Sequence, residues 1–433
     1  MRDLLIVIFI LAAVYYSFKK PYLGVCAWIW VALFAPANWA FGFSQSFRIN
    51  LTIVLITALS YLIIQKDKRG TFGKQGGYIL MFWVLALIST IFHQTIDFDA
   101  MLVEFEKFTK VIALYFFVGL TIKKRVHIDT FIWAIVLGLS SYAAVEGIKF
   151  ILSFGGYRVV GVAGVIQDRN DLAVAINMCI PLIIYLWSVT KHQYLKLALL
   201  GLVFLNIVSV IGTYSRGGFI GLTVLAIAMW LKSKRKFSLA LVAIIIIPLL
   251  YVSAPENWKE RQTTITTASS RDGSFIGRLW AWKISTLIAL DNPMTGGGFK
   301  SVTDPVQWNL YAPITPFFGP IDTPTIPINL RPKAAHNIYF QVLGDHGFTG
   351  LVLFLLILSS TYFRCQKNIK QAKKNRVEWC VNLSSAISLS LIGFCITGLN
   401  VSLAYFELVY ALIGIVGIVK VYLAKTESSE INS

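Results

Sequence analysis

Acidic side chains are few, and so are charges of either sign. The chain has 21 Asp and Glu against 39 Lys and Arg in 433 residues, and charged residues make up only 14% of it. Hydrophobic residues reach 56% and the mean hydropathy is +0.69, which excludes an ordinary soluble enzyme. Cysteine is also scarce. Cys26, Cys179, Cys365, Cys380 and Cys395 lie in apolar segments or in the basic connection 365–380, and no CxxC occurs, which argues against a disulfide framework or a zinc site. There is no HExxH, nucleophile elbow or Walker sequence, so the sequence offers no zincin, α/β-hydrolase or ATP-driven pump. Internal repeats, heptads and low-complexity tracts are absent as well.

The apolar runs that are present have the length of membrane spans, about 20 residues each. Candidate spans are 3–18, 22–40, 50–64, 78–93, 106–122, 128–150, 171–189, 197–213, 217–232, 237–253, 347–364, 383–400 and 403–421. Lys19, Lys20 and Pro21 punctuate the first two, and Glu104, Glu106, Lys107 and Lys110 crowd the start of the fifth. The expected fold is an all-α polytopic membrane protein with about twelve transmembrane helices and one large, partly helical periplasmic loop. The first apolar run follows Arg2 without a convincing cleavage site and reads as a retained anchor.

The net charge of +18 is distributed as topology, not as a nucleic-acid footprint. Basic residues cluster at Lys66/Lys68/Arg69/Lys74, Lys123/Lys124/Arg125, Lys191/Lys196, Lys232/Lys234/Arg235/Lys236 and from Arg364 to Arg376. Pairing the spans between them puts all five clusters on one side, which the positive-inside rule makes cytoplasmic. The long loop then falls on the opposite side. Four regions follow: N-terminal membrane helices 1–253, the loop 254–346, C-terminal membrane helices 347–425, and a polar, frayed tail 426–433.

The loop holds nine of the thirteen prolines. A connection that long usually has work to do. Residues 256–274 are polar and irregular. Phe275 to Leu290 reads as an amphipathic helix through Ile276, Leu279, Trp280, Ile284, Leu287 and Ile288, and is stopped by Asn292-Pro293. Such a helix suits the membrane interface, with its tryptophans at headgroup level. Gly296 to Gly298 reads as a flexible turn. Helical character resumes from Ala334 to Asp345 and ends at Gly347.

Three residues stand out for chemistry. His336 opens a helix-like segment, and a histidine can take a proton from a hydroxyl near neutral pH; a capping histidine would look the same. Arg216 sits at the non-cytoplasmic mouth of a span, before Gly217-Gly218, where a cation suggests a fixed anionic partner; a snorkelling arginine is the alternative. Arg278 lies on the loop helix beside Trp280 and Trp282, and two guanidinium forks match a pyrophosphate; an arginine on the helix's polar face is the alternative. Asp168, Asn170 and Asp171 form an N-cap set for the next span. Arg169, Asn170 and Tyr214 are secondary binding candidates. His93, His127, His192 and His346 fall at segment ends or in turns and carry no functional signal.

These features occur in a recognisable order: Arg216-Gly-Gly, Arg278-x-x-x-Trp282, Asn292-Pro293 before Gly296-Gly-Gly-Phe299, and Ala335-His336-Asn337-x-Tyr339 before Gly347-x-x-Gly350. Together they resemble the O-antigen ligase/polymerase superfamily of bacterial inner-membrane glycosyltransferases, from about Gly161 to Leu355. The N-terminal part is also similar to ligase-like proteins associated with exosortase systems. The resemblance implies metal- and cofactor-independent, inverting transfer of a glycan from undecaprenyl diphosphate on the periplasmic face of the inner membrane. The acceptor is lipid A–core for a ligase, the growing repeat unit for a polymerase, or a protein hydroxyl for an oligosaccharyltransferase. By the same resemblance Arg216 and Arg278 hold the diphosphate and His336 activates the acceptor hydroxyl. The expectation is an O-antigen ligase; the polymerase, the protein oligosaccharyltransferase and a polyprenyl-linked glycan transporter are the alternatives.

Overall fold

The computed structural model describes residues 2–39, 42–93, 95–161, 166–232, 236, 273–328 and 330–431. The expected span 237–253 and most of the polar stretch 256–274 lie outside the described residues. Every regular element among the described residues is helical. The α-helices are α1 (Arg2–Lys19), α2 (Pro21–Phe34), α3 (Ile49–Ile64), α4 (Gly73–Ile91), α5 (Phe98–Thr121), α6 (Arg125–Leu152), α7 (Arg169–Val189), α8 (Gln193–Gly212) and α9 (Arg216–Lys232). After the undescribed stretch come α10 (Gly273–Asp291), α11 (Pro305–Tyr311), α12 (Ile338–Lys374), α13 (Glu378–Thr397) and α14 (Glu407–Ile431). Seven of them, α4, α6, α7, α8, α12, α13 and α14, are long and apolar enough to cross a membrane. This is a multi-pass membrane protein.

Lipid inverts the usual packing logic: the outer surface is apolar, and backbone polar groups must be satisfied within each helix. Leu4, Ile8, Leu11, Leu62, Leu197 and Val352 accordingly face outward. At the centre, α7 packs along α13, with α6 and α9 against α7 and α12 against α13. Polar side chains inside the bundle tie helices together: Asn177 Nδ2 donates to Gly218 O at 2.9 Å, and Ser390 Oγ to Met178 O at 2.6 Å. The basic segments around Arg69, Lys123–Arg125, Lys191 and Lys373–Lys374 gather at one end of the bundle. There Thr71 N–H donates to Gly119 O, Lys123 Nζ donates to Arg69 O, and Asn382 Nδ2 donates to Ser188 Oγ. The starts of α7, α9 and α12 lie at the other end.

Several expectations need correction at the loop. α10 forms where the periodicity places it, and its apolar face turns inward onto the protein. Ala281, Ile284, Ser285 and Ile288 are fully buried, and the helix packs on α12. Its tryptophans are fastening pins. Trp280 Nε1 donates to Pro324 O at 2.9 Å and Trp282 Nε1 to Ala335 O at 2.7 Å, with the Trp282 ring stacked on Phe340. Lys283, which breaks the apolar pattern, is buried because its Nζ donates to Thr315 O (2.7 Å) and Thr323 Oγ1 (3.1 Å). A buried ammonium satisfied this way organises the proline-rich segment around itself.

Gly296–Gly298 is a docking surface, not a flexible turn. Gly297 N–H donates to Gly344 O at 2.9 Å and Gly298 N–H to Asp345 O at 3.0 Å, while Phe348 N–H donates to Pro293 O at 2.9 Å. The acceptors are available because α12 breaks at Gly347 (φ 66°, ψ −167°), the position where the sequence predicts a stop. α12 is thus two helical pieces, one from Ile338 up to the break and one from the break on to Lys374, as the sequence predicts. The expected frayed tail is helical up to Ile431; residues 432–433 lie outside the described residues. The pair Asp97-x-Asp99 has metal-binding spacing, and Asp97 caps α5 by accepting Ala100 N–H at 3.0 Å.

At Gly296 (φ 62°) a Cβ would lie 2.5 Å from Gly347 N and 2.6 Å from Gly344 O. Gly296→Val is expected to destabilise the protein by about 1–3 kcal/mol or more, from the left-handed backbone and the backbone clash together. The check is the thermal unfolding midpoint in detergent; an unchanged midpoint contradicts the docking role.

Candidate functional site

The candidate residues converge at the end of the bundle opposite the basic segments. α8 ends at Gly212, and Tyr214 takes a left-handed backbone (φ 55°) that reverses the chain. Its hydroxyl donates to Gly155 O at 2.6 Å. Ser215 Oγ then accepts the Gly218 N–H (3.0 Å) and donates to Asn170 Oδ1 (2.7 Å), which locks the start of α9 to the start of α7. Asp168 caps α7 as expected, accepting Asn170 N–H at 2.7 Å. Arg169 spans the same turn: its Nη1 donates to Tyr214 O at 3.3 Å and Thr213 O at 3.4 Å. Arg169, Asn170 and Tyr214 thus all brace the turn that presents Arg216.

Arg216 is the first residue of α9 and is half-buried. The two glycines after it let α9 approach its neighbours closely. A Cβ at Gly217 would meet the Asn400 side chain at 2.7 Å, and one at Gly218 would meet Ala173 Cβ at 2.6 Å. Asn400 closes a short 3-10 turn, Gly398–Asn400, at the end of α13. From the other side, Arg278 Nη1 of α10 donates to Asn400 Oδ1 at 2.9 Å. Asn400 therefore stands between the helix that starts with Arg216 and the loop helix that carries Arg278.

Two residues further on, Ser402 Oγ accepts the His336 N–H at 3.0 Å. His336 has φ 44°, a left-handed conformation that histidine tolerates better than most residues. It stands just before Asn337, whose Oδ1 caps α12 by accepting Tyr339 N–H (2.9 Å) and Phe340 N–H (3.3 Å). The imidazole keeps solvent access, yet protein crowds it. Burial, the Arg278 guanidinium and the Lys333 ammonium all push its pKa below the usual histidine value, against an upward pull from Asp168. The Lys333 stem reaches over Gly277, next to Arg278.

The arrangement joins cations from two different elements to a histidine kept in its neutral, proton-accepting form. Such a site can hold an anion and receive a proton beside it. Sequence reasoning missed Asn400, Ser402 and Lys333. The signal was present at the first two: a polar Asn-Val-Ser interrupts the boundary between apolar runs 383–400 and 403–421. Lys333 stands two residues from Ala335 but belongs to no recognisable pattern.

A histidine whose folded pKa is lowered favours the neutral state. Its contribution to stability is present above about pH 6.5 and is lost as pH falls through the lowered folded value. Carbethoxylation of the peptide bearing His336, which needs the neutral ring, is expected to reach half its maximal rate below pH 6.5. Lys333→Met should move that midpoint up, and Asp168→Asn, which preserves the cap, should move it further down. A midpoint at or above 6.5 in the unmutated protein contradicts the electrostatics.

Residues 201–355, which contain Arg216, Arg278 and His336, match the O-antigen ligase family. Residues 1–194 match a family of unknown function, DUF5935. No curated protein gives a significant match to the chain. Over residues 201–355 this multi-pass membrane protein is thus similar to the O-antigen ligase family, which supports the O-antigen ligase-like superfamily.

Proposed function

We propose that the protein is an O-antigen ligase that moves a glycan from undecaprenyl diphosphate to lipid A–core at the periplasmic face of the inner membrane. The observation that carries this reading is the convergence of the Arg216 helix start and the Arg278 loop helix on Asn400, two residues from the serine that holds His336. The gathering of basic segments at the opposite end supports a periplasmic site. The helices α1, α2, α3, α5 and α9 would add five spans to the seven long apolar ones, and the expected span 237–253 would return the chain from Lys232 to the loop's side.

The chemistry asks little more than such a site supplies. A glycan on a lipid diphosphate is already activated. The acceptor oxygen attacks the anomeric carbon as the bond to the diphosphate breaks, which inverts that carbon. His336 takes the acceptor proton, and Arg216 and Arg278 stabilise the charge that develops on the departing diphosphate. Removing one such preorganised donor costs on the order of 10²–10³-fold in rate. A positioned base contributes about 10²–10⁴-fold.

The test is reconstitution of the purified protein in lipid with undecaprenyl-diphosphate-linked glycan and lipid A–core. Glycan is expected on lipid A–core, with Arg216→Ala and Arg278→Ala slower by about 10²–10³-fold and His336→Ala by about 10²–10⁴-fold at equal protein level. A longer glycan still on its polyprenyl carrier identifies a polymerase, and glycan on protein an oligosaccharyltransferase. Rates unchanged in the variants contradict the assigned roles. Donor carried across the bilayer without any new glycosidic bond identifies a transporter.

A further inference from the structure

One charged strip in the membrane body has no part in the site above. α5 carries Glu104, Glu106, Lys107 and Lys110 in its first half, where a spanning helix ordinarily has apolar residues. Charges at membrane depth are costly unless they line a polar cavity, and they mark functional sites for that reason. Here a cavity of about 220 Å³ lies between this face of α5, the end of α2, the start of α3, and the segment 402–407. Glu104, Lys107, Lys110, Gln341, Ser402 and Glu407 supply its polar wall. Glu104 is occupied, since its Oε1 meets both Lys107 Nζ and Lys300 Nζ at 2.9 Å.

Two acceptors in the wall are not occupied by other residues. Glu407 is only 8% exposed, and its carboxylate accepts its own backbone N–H but meets no other residue among the described ones. Asn50 Oδ1 is buried with no partner. Buried acceptors of this kind need donors. A ligand dense in hydroxyl groups brings them; an apolar lipid tail or a bare anion does not.

The cavity is also connected to the proposed catalytic end. Ser402, in its wall, accepts the His336 N–H at 3.0 Å. Gln341, also in its wall, lies one helical turn beyond Asn337, whose carbonyl accepts its N–H at 2.9 Å, and its Oε1 accepts Ala404 N–H at 3.0 Å. One turn is about 5.4 Å. Lys107 and Lys110, with side chains 57% and 54% exposed, mark an open mouth on the outer face of α5. A molecule reaching the cavity through that mouth comes from the plane of the membrane, and Trp28, Ala32 and Leu114 give its inner wall an apolar lining.

We propose that this cavity between α2, α5 and the 402–407 segment holds the carbohydrate head of a membrane-anchored glycolipid acceptor and directs its hydroxyl toward His336. The inference rests on the transferase reading above. In the step it serves, the acceptor O–H bond breaks and its oxygen bonds to the anomeric carbon. The proton passes to His336, and the electron pair of the broken glycosyl–phosphate bond leaves with the diphosphate. Glu407 and Asn50 are positioning residues that accept hydrogen bonds from neighbouring hydroxyls.

The experiment uses the full chain in nanodiscs, with p-benzoylphenylalanine in place of Ala32 and, separately, Glu407→Gln in otherwise unmutated protein. Ultraviolet light is expected to link position 32 to lipid A–core, and excess unlabelled lipid A–core should suppress the link. Glu407→Gln should raise the KM for lipid A–core by at least about tenfold, with kcat and the Kd for the polyprenyl-linked donor little changed. No link at position 32, a link to the donor or to a peptide acceptor instead, or an unchanged acceptor KM in Glu407→Gln overturns the site. Normal transfer alongside any of these leaves the ligase reading intact. A competed link to lipid A–core in protein that transfers nothing supports the site and overturns the transferase reading.

Discussion

Asn400 accepts the Arg278 guanidinium while its side chain fills the space that Gly217 leaves open, and the architecture of the site depends on that contact. Arg216 and Arg278 belong to segments separated by a long stretch of chain. Nothing local in the sequence brings them together. The short turn Gly398–Asn400 does so, because it ends α13 where α9 starts and where α10 comes down from the loop. The Asn400 amide oxygen gives the guanidinium a charge-assisted hydrogen bond of fixed direction at that junction. The same segment reaches Ser402, and through it the backbone of His336. One connection between two membrane helices therefore sets the position of both kinds of functional group.

The loop contributes rigidity to this arrangement. Its helix α10 is buried on α12, its tryptophans hold the backbone at Pro324 and Ala335, and its glycine turn is bonded to the break at Gly347. Ala335 is the residue before His336, so the Trp282 bond fixes the approach to the histidine directly. A transfer site must hold donor, acceptor and base within a narrow geometry, and elements that are packed and hydrogen-bonded do this better than a free loop. The left-handed backbone at both Tyr214 and His336 fits that picture: each sits where surrounding contacts determine the chain direction.

Much of this was legible in the sequence. The periodicity from Phe275 to Leu290 predicts α10 to within two residues, Asp168 reads as a cap and is one, and Gly347 reads as a break and is one. Arg216, Arg278 and His336 stand out because cations and a histidine are unusual at those positions. What composition does not show is the face each element buries. α10 has the pattern of an interfacial helix, yet Lys283 finds partners at Thr315 and Thr323, some thirty and forty residues away. Gly296–Gly298 looks like slack chain because backbone acceptors at Gly344 and Asp345 leave no mark on side-chain chemistry. Asn400 and Ser402 were hidden for the same reason: two polar residues between apolar runs look like a simple turn until the arginine and the histidine are placed beside them.

In the proposed transfer Asn400 positions Arg278, and Arg278 with Arg216 holds the diphosphate. A double-mutant cycle on kcat/KM tests it most directly, using Arg278→Ala, Asn400→Ala and both together, with protein level and unfolding midpoint held equal. The expected result is strong non-additivity: once Arg278 is gone, losing Asn400 costs little more. Losses that simply add would mean that Asn400 does not position Arg278, and would contradict the account.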